Sequence, residues 1–410
     1  MRAGKHLQVG THTLWAAFQL ACQQLSGTHR GSRLSPQEQN TESSLQVLSV
    51  LHMPDYRDAN PYQQGLLDGL AANDVAVSAR KPTGMVPLLT RYVQEGEPDV
   101  IHLHWLHRFF VTERMNAPLL TILLGIRLLV ELVILRLLGV TLVWTVHNLA
   151  DHERSAPRAE RSIRAVAARC MHQLIVHCPE AAAETTRYYR LETLNRTGIS
   201  VIPHGNYDPF YSLSGTRDEA RTALDLHTDD PVLLYFGLIR PYKNVDGLLE
   251  TVQQLDHDVT LLVVGNPWNA VVEHDIRALA SNDPRVQTRL EYVPDEDVPQ
   301  YFLAADAVVL PFTGVLTSGS AILAMTFGRA LIAPHSGCIP SLIGDQRGGI
   351  SYDPDCSTGL HQALVTAIRD RERLRTMGNR NRRVADTLDW ADIAAQTREV
   401  YTTLQHASAD

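Results

Sequence analysis

The sequence predicts an α/β protein built as two doubly wound, Rossmann-like domains facing a cleft. Three observations carry this. Short β-rich runs alternate with helical stretches along the chain, which implies right-handed crossovers and parallel sheets. Several runs, such as Leu261-Leu262-Val263-Val264, are apolar without interruption, as a sheet buried on both faces requires. A chain of 410 residues is also longer than one core usually holds.

Taken in order, the expected strands of the first half are 46–51, 75–79, 100–105, 141–146, 174–177 and 200–202. Those of the second half are 232–236, 259–264, 286–293, 307–310 and 330–333. Pro, Gly, Ser and Thr cluster at 208–228, where the chain is expected to break. The expected division is a poorly packed leader at 1–44, an N-terminal domain at 45–210 and a C-terminal domain at 229–385. A last helix, 386–410, is a candidate to cross back to the N-terminal domain.

Composition excludes several classes. With 37 basic and 45 acidic residues the net charge is −8, which argues against a nucleic-acid-binding surface. The five cysteines are scattered and odd in number and form no CxxC. Neither a disulfide framework nor a zinc ribbon is expected, and a reducing, cytoplasmic compartment fits. The apolar run 14–21 is too short and too Gln-interrupted for a secretory core. The run 119–146 carries Arg127, Glu131 and Arg136 and is not a clean membrane span.

The second half carries the strongest chemical signal. In Tyr235-Phe236-Gly237-Leu238-Ile239-Arg240-Pro241-Tyr242-Lys243-Asn244, a buried strand ends at a glycine and two cations follow three residues apart. Only three lysines occur in the chain, and Lys243 is the only one after Lys81. Val264-Gly265-Asn266-Pro267 closes another strand with a turn. The strand containing Asp306 leads to Pro311, and Thr317-Ser318-Gly319-Ser320 opens a helix. Small residues there let backbone N–H groups approach an anion, and the helix dipole favours it. Arg240 and Lys243 would supply the countercharge to a diphosphate.

With these motifs in place the chain resembles a glycosyltransferase of the GT-B fold, close to glycosyltransferase family 4, over roughly residues 45–400. The resemblance implies a nucleotide-sugar donor in the C-terminal domain, held by Gly237, Arg240, Lys243, Gly265, Thr317, Ser318, Gly319 and Ser320. It implies an acceptor in the N-terminal domain, and no metal or other cofactor. The family usually shows two glutamates eight residues apart around this loop. Here Val315 and Leu323 stand at the matching positions, which removes the usual ribose and sugar-hydroxyl contacts. A similar Thr-Ser-Gly-Ser variant occurs among bacterial polysaccharide transferases, some of them inverting.

The first half offers histidines and carboxylates at strand ends. His102, His104 and Trp105 close one run, and His147, Asn148, Asp151, His152 and Glu153 follow the next. His104, Trp105, Asn148 and His204 are expected to contact the acceptor. Asp151 is the expected catalytic base, with Glu153 and His147 as rivals. A metal reading of His102, His104, His107, His147 and His152 matches no known ligand spacing. Gly314-x4-Gly319-Ser320 lacks the lysine of a P-loop. Asp295-Glu296-Asp297 reads as a helix start and Asp353-Pro354-Asp355 as a turn. The arginine-rich run 369–383 reads as a solvated helix face.

The expected function is sugar transfer from a nucleotide sugar to a glycan or lipid-linked acceptor, by a hexosyltransferase with inversion favoured, in cell-surface polysaccharide or glycolipid synthesis. The alternatives are a nucleotide-sugar epimerase of the same fold and a non-catalytic nucleotide-sugar-binding subunit. The apolar helix 119–138, with Arg108, Arg114, Arg127 and Arg136 near lipid phosphates, is the candidate contact with the inner face of the cell membrane.

Overall fold

A computed structural model describes residues 47–409, apart from 59, 112–117, 151–156, 193–196, 227–228 and 345–346. The leader expected at 1–44 lies outside these residues. The chain forms two compact units. One comprises Met1–Val176, Thr185–Ser200 and Ala394–Asp410; the other comprises His177–Glu184 and Val201–Ile393.

The first unit holds strands β1 (Ser49–Met53), β2 (Ala76–Ala79), β3 (Val100–Leu103), β4 (Thr141–Thr145), β5 (Gln173–Val176) and β6 (Gly198–Val201). They form one sheet in the order β2-β1-β3-β4-β5-β6. β1 pairs in parallel with β2 and β3, β3 with β4, and β4 with β5. Every residue of β3 and β4 is buried, as expected for central strands covered on both faces.

The second unit holds β7 (Val232–Phe236), β8 (Thr260–Val264), β9 (Val286–Arg289), β10 (Ala307–Val309), β11 (Ala330–Pro334) and β12 (Gly349–Tyr352), ordered β12-β11-β10-β7-β8-β9. All neighbours in this sheet are parallel. Two details differ from the sequence expectation. The run 286–293 leaves the sheet after Arg289, because β9 is an edge strand. β12 was not expected, since Gly349-Ile350-Ser351-Tyr352 is short and led by glycine. The glycine is required: a Cβ at Gly349 would lie 2.4 Å from the Leu331 carbonyl oxygen of β11.

One cysteine expectation is corrected. Cys178, just after β5, and Cys338, just before the Ile339–Ile343 helix, form a disulfide with Cα atoms 5.6 Å apart. Their 160-residue separation hid a proximity that only the fold creates.

The Pro118–Leu137 helix is long and apolar enough to cross a membrane, yet part of it packs into the first unit. Its charges explain the orientation. Glu131 is buried and accepts the backbone N–H groups of Leu88 and Leu89 at 2.7 and 3.2 Å, capping the Pro87–Gln94 helix, whose Val86 cap offers no side-chain bond. Burial pushes the Glu131 carboxyl up to about 7, against the pull of nearby Arg127. Arg127 donates to the Phe109 carbonyl at 2.5 Å, and Arg136 to the Cys170 carbonyl at 2.8 Å. The charges therefore serve the protein side. Apart from Arg136, every exposed position of the helix is apolar. Leu119, Leu123, Ile126, Val130, Val133 and Leu137 recur at spacings of four and three along one face, each at least 47% exposed.

Candidate functional site

The side expected to hold the donor is built at the carboxyl ends of β7, β8 and β10, where open parallel sheets place ligands. After β7 and β8 the chain stays paired: Gly237 N–H donates to the Val264 carbonyl at 3.0 Å and Ile239 N–H to that of Asn266 at 2.9 Å. The close approach leaves no room for a side chain. Gly265 has φ +146°, and a Cβ there would fall 1.8 Å from the Gly237 carbonyl oxygen. Gly237 has φ +129°, and the position its Cβ would fill lies 3.5 Å from Lys243 Nζ and 3.7 Å from Ser320 Oγ. Gly237, Lys243 and Ser320 thus border one small open volume.

Lys243 sits in the Pro241–Lys243 turn of 3-10 helix, its ammonium 5.3 Å from the centre of the Phe312 ring. Among the described residues no carboxylate pairs with it. Burial, and then the nearby Arg240 charge, bring its pKa down to about 8. Arg240 lies over Trp268, 5.7 Å from the ring centre. A cation without an acidic partner, with the Arg240 charge near enough to act on it, is what a diphosphate would neutralise. Ser318 caps the Gly319–Thr326 helix, accepting from Ala321 N–H at 3.2 Å, so its hydroxyl is engaged within the protein. Thr317 and Ser318 line a small cavity with His177, His204 and Cys338. Leu316, just before them, accepts from Cys338 N–H at 2.8 Å, which ties the loop to the disulfide.

His204, expected among the acceptor contacts, belongs to the second unit. Its Nε2 lies 3.7 Å from where a Cβ of Gly319 would sit, beside the Tyr207 hydroxyl. The structure therefore places it beside the Thr317–Ser320 loop of the second unit. Burial, followed by the effect of His177, lowers its pKa to about 3.

In the first unit the strand ends form a terrace of rings. His52, one residue before the end of β1, pairs with His102 of β3. The His147 ring stacks on Trp105, with centroids 4.6 Å apart at 10°, and meets Tyr62 edge-on at 4.9 Å. His104 Nδ1 lies 3.3 Å from His147 Nε2, and His104 Nε2 lies 3.0 Å from His52 Nδ1. His104, Trp105 and His147 are thus brought together. Asn148 is held from behind by Arg164, which reaches its carbonyl at 3.4 Å and pairs with Glu160 at 2.8 Å. Asp151, His152 and Glu153 lie outside the described residues.

His52, His102 and His104 offer ligand atoms within 4.8 Å of one another. A metal would need one nitrogen of each aimed at a common point. Both His102 nitrogens are already committed, Nδ1 to Tyr401 Oη at 2.5 Å and Nε2 to Thr145 Oγ1 at 2.7 Å. His52 and His104 face each other. The donor set fits a hydrogen-bonded network better than a metal centre.

Sequence reasoning passed over His52, Tyr62, Trp268 and Phe312. His52 carried the signal used for His102, a histidine closing a β-rich run. Tyr62 and Phe312 carried none, since each reaches its site only through packing.

Two parallel six-stranded α/β sheets, with a glycine-and-cation cradle at the strand ends of the second, define a glycosyltransferase of the GT-B type. The known proteins agree. Residues 230–370 match the family described as Glycosyl transferases group 1. The chain is 30% identical over 318 residues, 76% of its own length and 81% of the relative's, to a GDP-mannose:glycolipid 4-beta-D-mannosyltransferase of Xanthomonas campestris pv. campestris. It is 28% identical over 387 residues, 86% of its length and 78% of the relative's, to a D-inositol 3-phosphate glycosyltransferase of Nocardia farcinica. In structure it resembles the sucrose-phosphate synthase of Thermosynechococcus elongatus, with TM-score 0.69, 20% identity and coverage of 88% of this chain and 99% of that one. The chain belongs to the glycosyltransferase group 1 family and takes its sugar from a nucleotide-sugar donor.

Proposed function

We propose that the protein transfers a hexose, most simply mannose from GDP-mannose, to a glycolipid acceptor at a membrane surface. The observation that carries this reading is the exposed apolar face of the Pro118–Leu137 helix, on the unit that also holds His104, Trp105 and His147. A face about 27 Å long, with Arg127 and Glu131 turned into the protein and Arg136 the one exposed charge, suits a helix lying in a lipid interface. The acceptor class follows the name of the Xanthomonas relative, whose product linkage is β. Arg108 is exposed at the end of the neighbouring His107–Phe110 helix and adds a cation for lipid phosphate.

Inversion is part of the proposal. Val315 and Leu323 offer no carboxylate toward the sugar, and a single-base displacement needs only one group to take the acceptor proton. Asp151 is assigned that role, with Glu153 and His147 as its rivals. The two cations and the helix N-terminus hold the diphosphate without metal, so EDTA should leave turnover unchanged.

The test is a reaction with GDP-α-D-mannose and a short-chain glycolipid on anionic vesicles, with the product anomer read by NMR and the protein tracked by flotation. A β-linked product made by vesicle-bound protein supports the reading. An α-linked product overturns inversion. Free nucleotide released without acceptor favours the epimerase. Protein that stays off anionic vesicles overturns the membrane contact.

A further inference from the structure

The Gly319–Thr326 helix, whose first turn is the expected anion site, starts against a buried tyrosine of the same unit. Tyr207 is 8% exposed, and its ring packs with those of Phe210 and Tyr211, 6.4 and 6.1 Å away between centres. Its hydroxyl ends 2.7 Å from the point that a Cβ of Gly319 would occupy. Gly319 is not among the glycines with positive φ. Space, not backbone conformation, calls for a glycine there, and the tyrosine oxygen is what takes the space.

That oxygen has no partner in the protein. Among the described residues Tyr207 forms hydrogen bonds only through its backbone. Its N–H donates to Thr326 Oγ1 at 3.1 Å, and its carbonyl accepts from Phe210 and Tyr211 N–H at 3.0 and 3.3 Å. A tyrosine hydroxyl at the end of a buried ring ordinarily finds a partner, and here the nearest structure is a helix N-terminus that carries partial positive charge.

The tyrosine is also held in place. Asn206 N–H donates to the Leu388 carbonyl at 2.9 Å, and the Asn206 carbonyl accepts from Trp390 Nε1 at 2.8 Å. On the other side Asp208 takes two bonds of 2.6 Å from Arg382. Burial, and then nearby Tyr211, push the Tyr207 pKa above its ordinary value, so the hydroxyl keeps its proton at neutral pH and is available as a donor.

We propose that Tyr207 is a further donor-binding residue, its hydroxyl donating a hydrogen bond to a phosphate oxygen of the nucleoside diphosphate seated at the start of the Gly319–Thr326 helix. This deepens the reading of that helix start as the diphosphate site and rests on it. The diphosphate then meets donors of three kinds: backbone N–H groups, the Lys243 ammonium and a neutral hydroxyl. The hydroxyl is already oriented before the ligand arrives, so little ordering is lost when the bond forms.

The test uses the full chain with GDP and UDP as probes. Tyr207→Phe removes one oxygen and keeps the ring. Because that oxygen bonds nothing in the protein, the unliganded Tm should hold or rise, whereas nucleotide affinity should fall about 10- to 100-fold, the worth of a hydrogen bond to a charged group. Unchanged affinity overturns the proposal. So does a lower unliganded Tm, because the hydroxyl would then have a protein partner. Lys243→Ala separates the proposal from the reading beneath it. Affinity lost in Lys243→Ala and kept in Tyr207→Phe overturns the tyrosine contact alone. Affinity kept in both, or a wild-type protein that binds neither nucleotide, overturns the diphosphate site with it. Gly319→Ala checks the geometry independently. Its Cβ would meet the hydroxyl and should lower Tm. With Tyr207→Phe added, that Cβ lies 3.9 Å from ring carbon Cζ, an ordinary contact, so Tm should recover while affinity stays low. A Tm that stays low, or an affinity that returns to the wild-type value, overturns the proposal.

Discussion

The two units build their sites by opposite means. In the second, the backbone does most of the shaping: glycines at the ends of β7 and β8 bring two loops into contact, and Lys243 and Ser320 border the Gly237 turn. In the first, side chains do it: seven rings from β1, β3, the loops after β3 and β4 and two helices interlock, and the backbone only carries them. A backbone-built site suits an invariant group such as a diphosphate, whose charge and shape are shared by the nucleoside-diphosphate sugars. A ring-built site can be reshaped by single substitutions and suits the variable partner, the acceptor. If that contrast holds, damage in the second unit should appear in donor affinity, and damage in the first should appear in turnover.

The sharpest way to break it is at Asp151. Asp151→Asn removes the proposed base while keeping side-chain size. Turnover should fall by about 10²–10⁴-fold, with nucleotide affinity near normal. The measurement is initial rate against calorimetric nucleotide binding. Activity retained here and lost in Glu153→Gln would move the base two residues along the sequence.

The complementary variant is Lys243→Ala. Losing one charge-assisted hydrogen bond of the cradle should weaken nucleotide binding about 10- to 100-fold. Turnover at saturating donor should change less. Unchanged affinity in a folded variant would remove Lys243 from the diphosphate site.

A smaller effect follows from the lowered Lys243 pKa. In the free protein the ammonium titrates near 8, and a bound diphosphate would raise that value by favouring the charged form. Binding then takes up a proton above pH 8. Affinity should be level up to about that pH and then fall, by at most about tenfold per pH unit. Lys243→Arg stays charged and should flatten the profile. A wild-type affinity constant to pH 10 would contradict the assignment.

The same contrast explains what could be read from the sequence. The two-sheet architecture was legible because each strand is a short apolar run with its own turn signals. The cradle was legible because Gly237, Arg240 and Lys243 lie within seven residues, so spacing alone reports geometry. The ring terrace was legible only in part. His104, Trp105 and His147 announce themselves at strand ends, whereas Tyr62 and Tyr401 arrive from helices far along the chain. β12 was missed because its glycine answers to β11 rather than to local propensity. The Cys178–Cys338 bridge was missed for the same kind of reason, since nothing local to either cysteine records the other.

The Pro118–Leu137 helix carries both kinds of residue, which gives the mildest test. Leu123 and Val130 face outward, at 55% and 50% exposure, whereas Leu128 and Leu132 are fully buried. If the outward face meets lipid, Leu123→Ser with Val130→Ser should leave stability within about 0.5 kcal/mol per site, as for ordinary surface positions. The double variant should lose flotation with anionic vesicles and turn over a vesicle-borne acceptor more slowly. A detergent-dispersed acceptor should be used at the wild-type rate. Leu128→Ser should instead destabilise by several kcal/mol, because it removes packed apolar volume and buries a hydroxyl. Thermal unfolding separates the two cases without reference to activity. A large loss of stability in the double variant would show that the outward face is covered by protein, and the lipid contact would have to be sought elsewhere on the first unit.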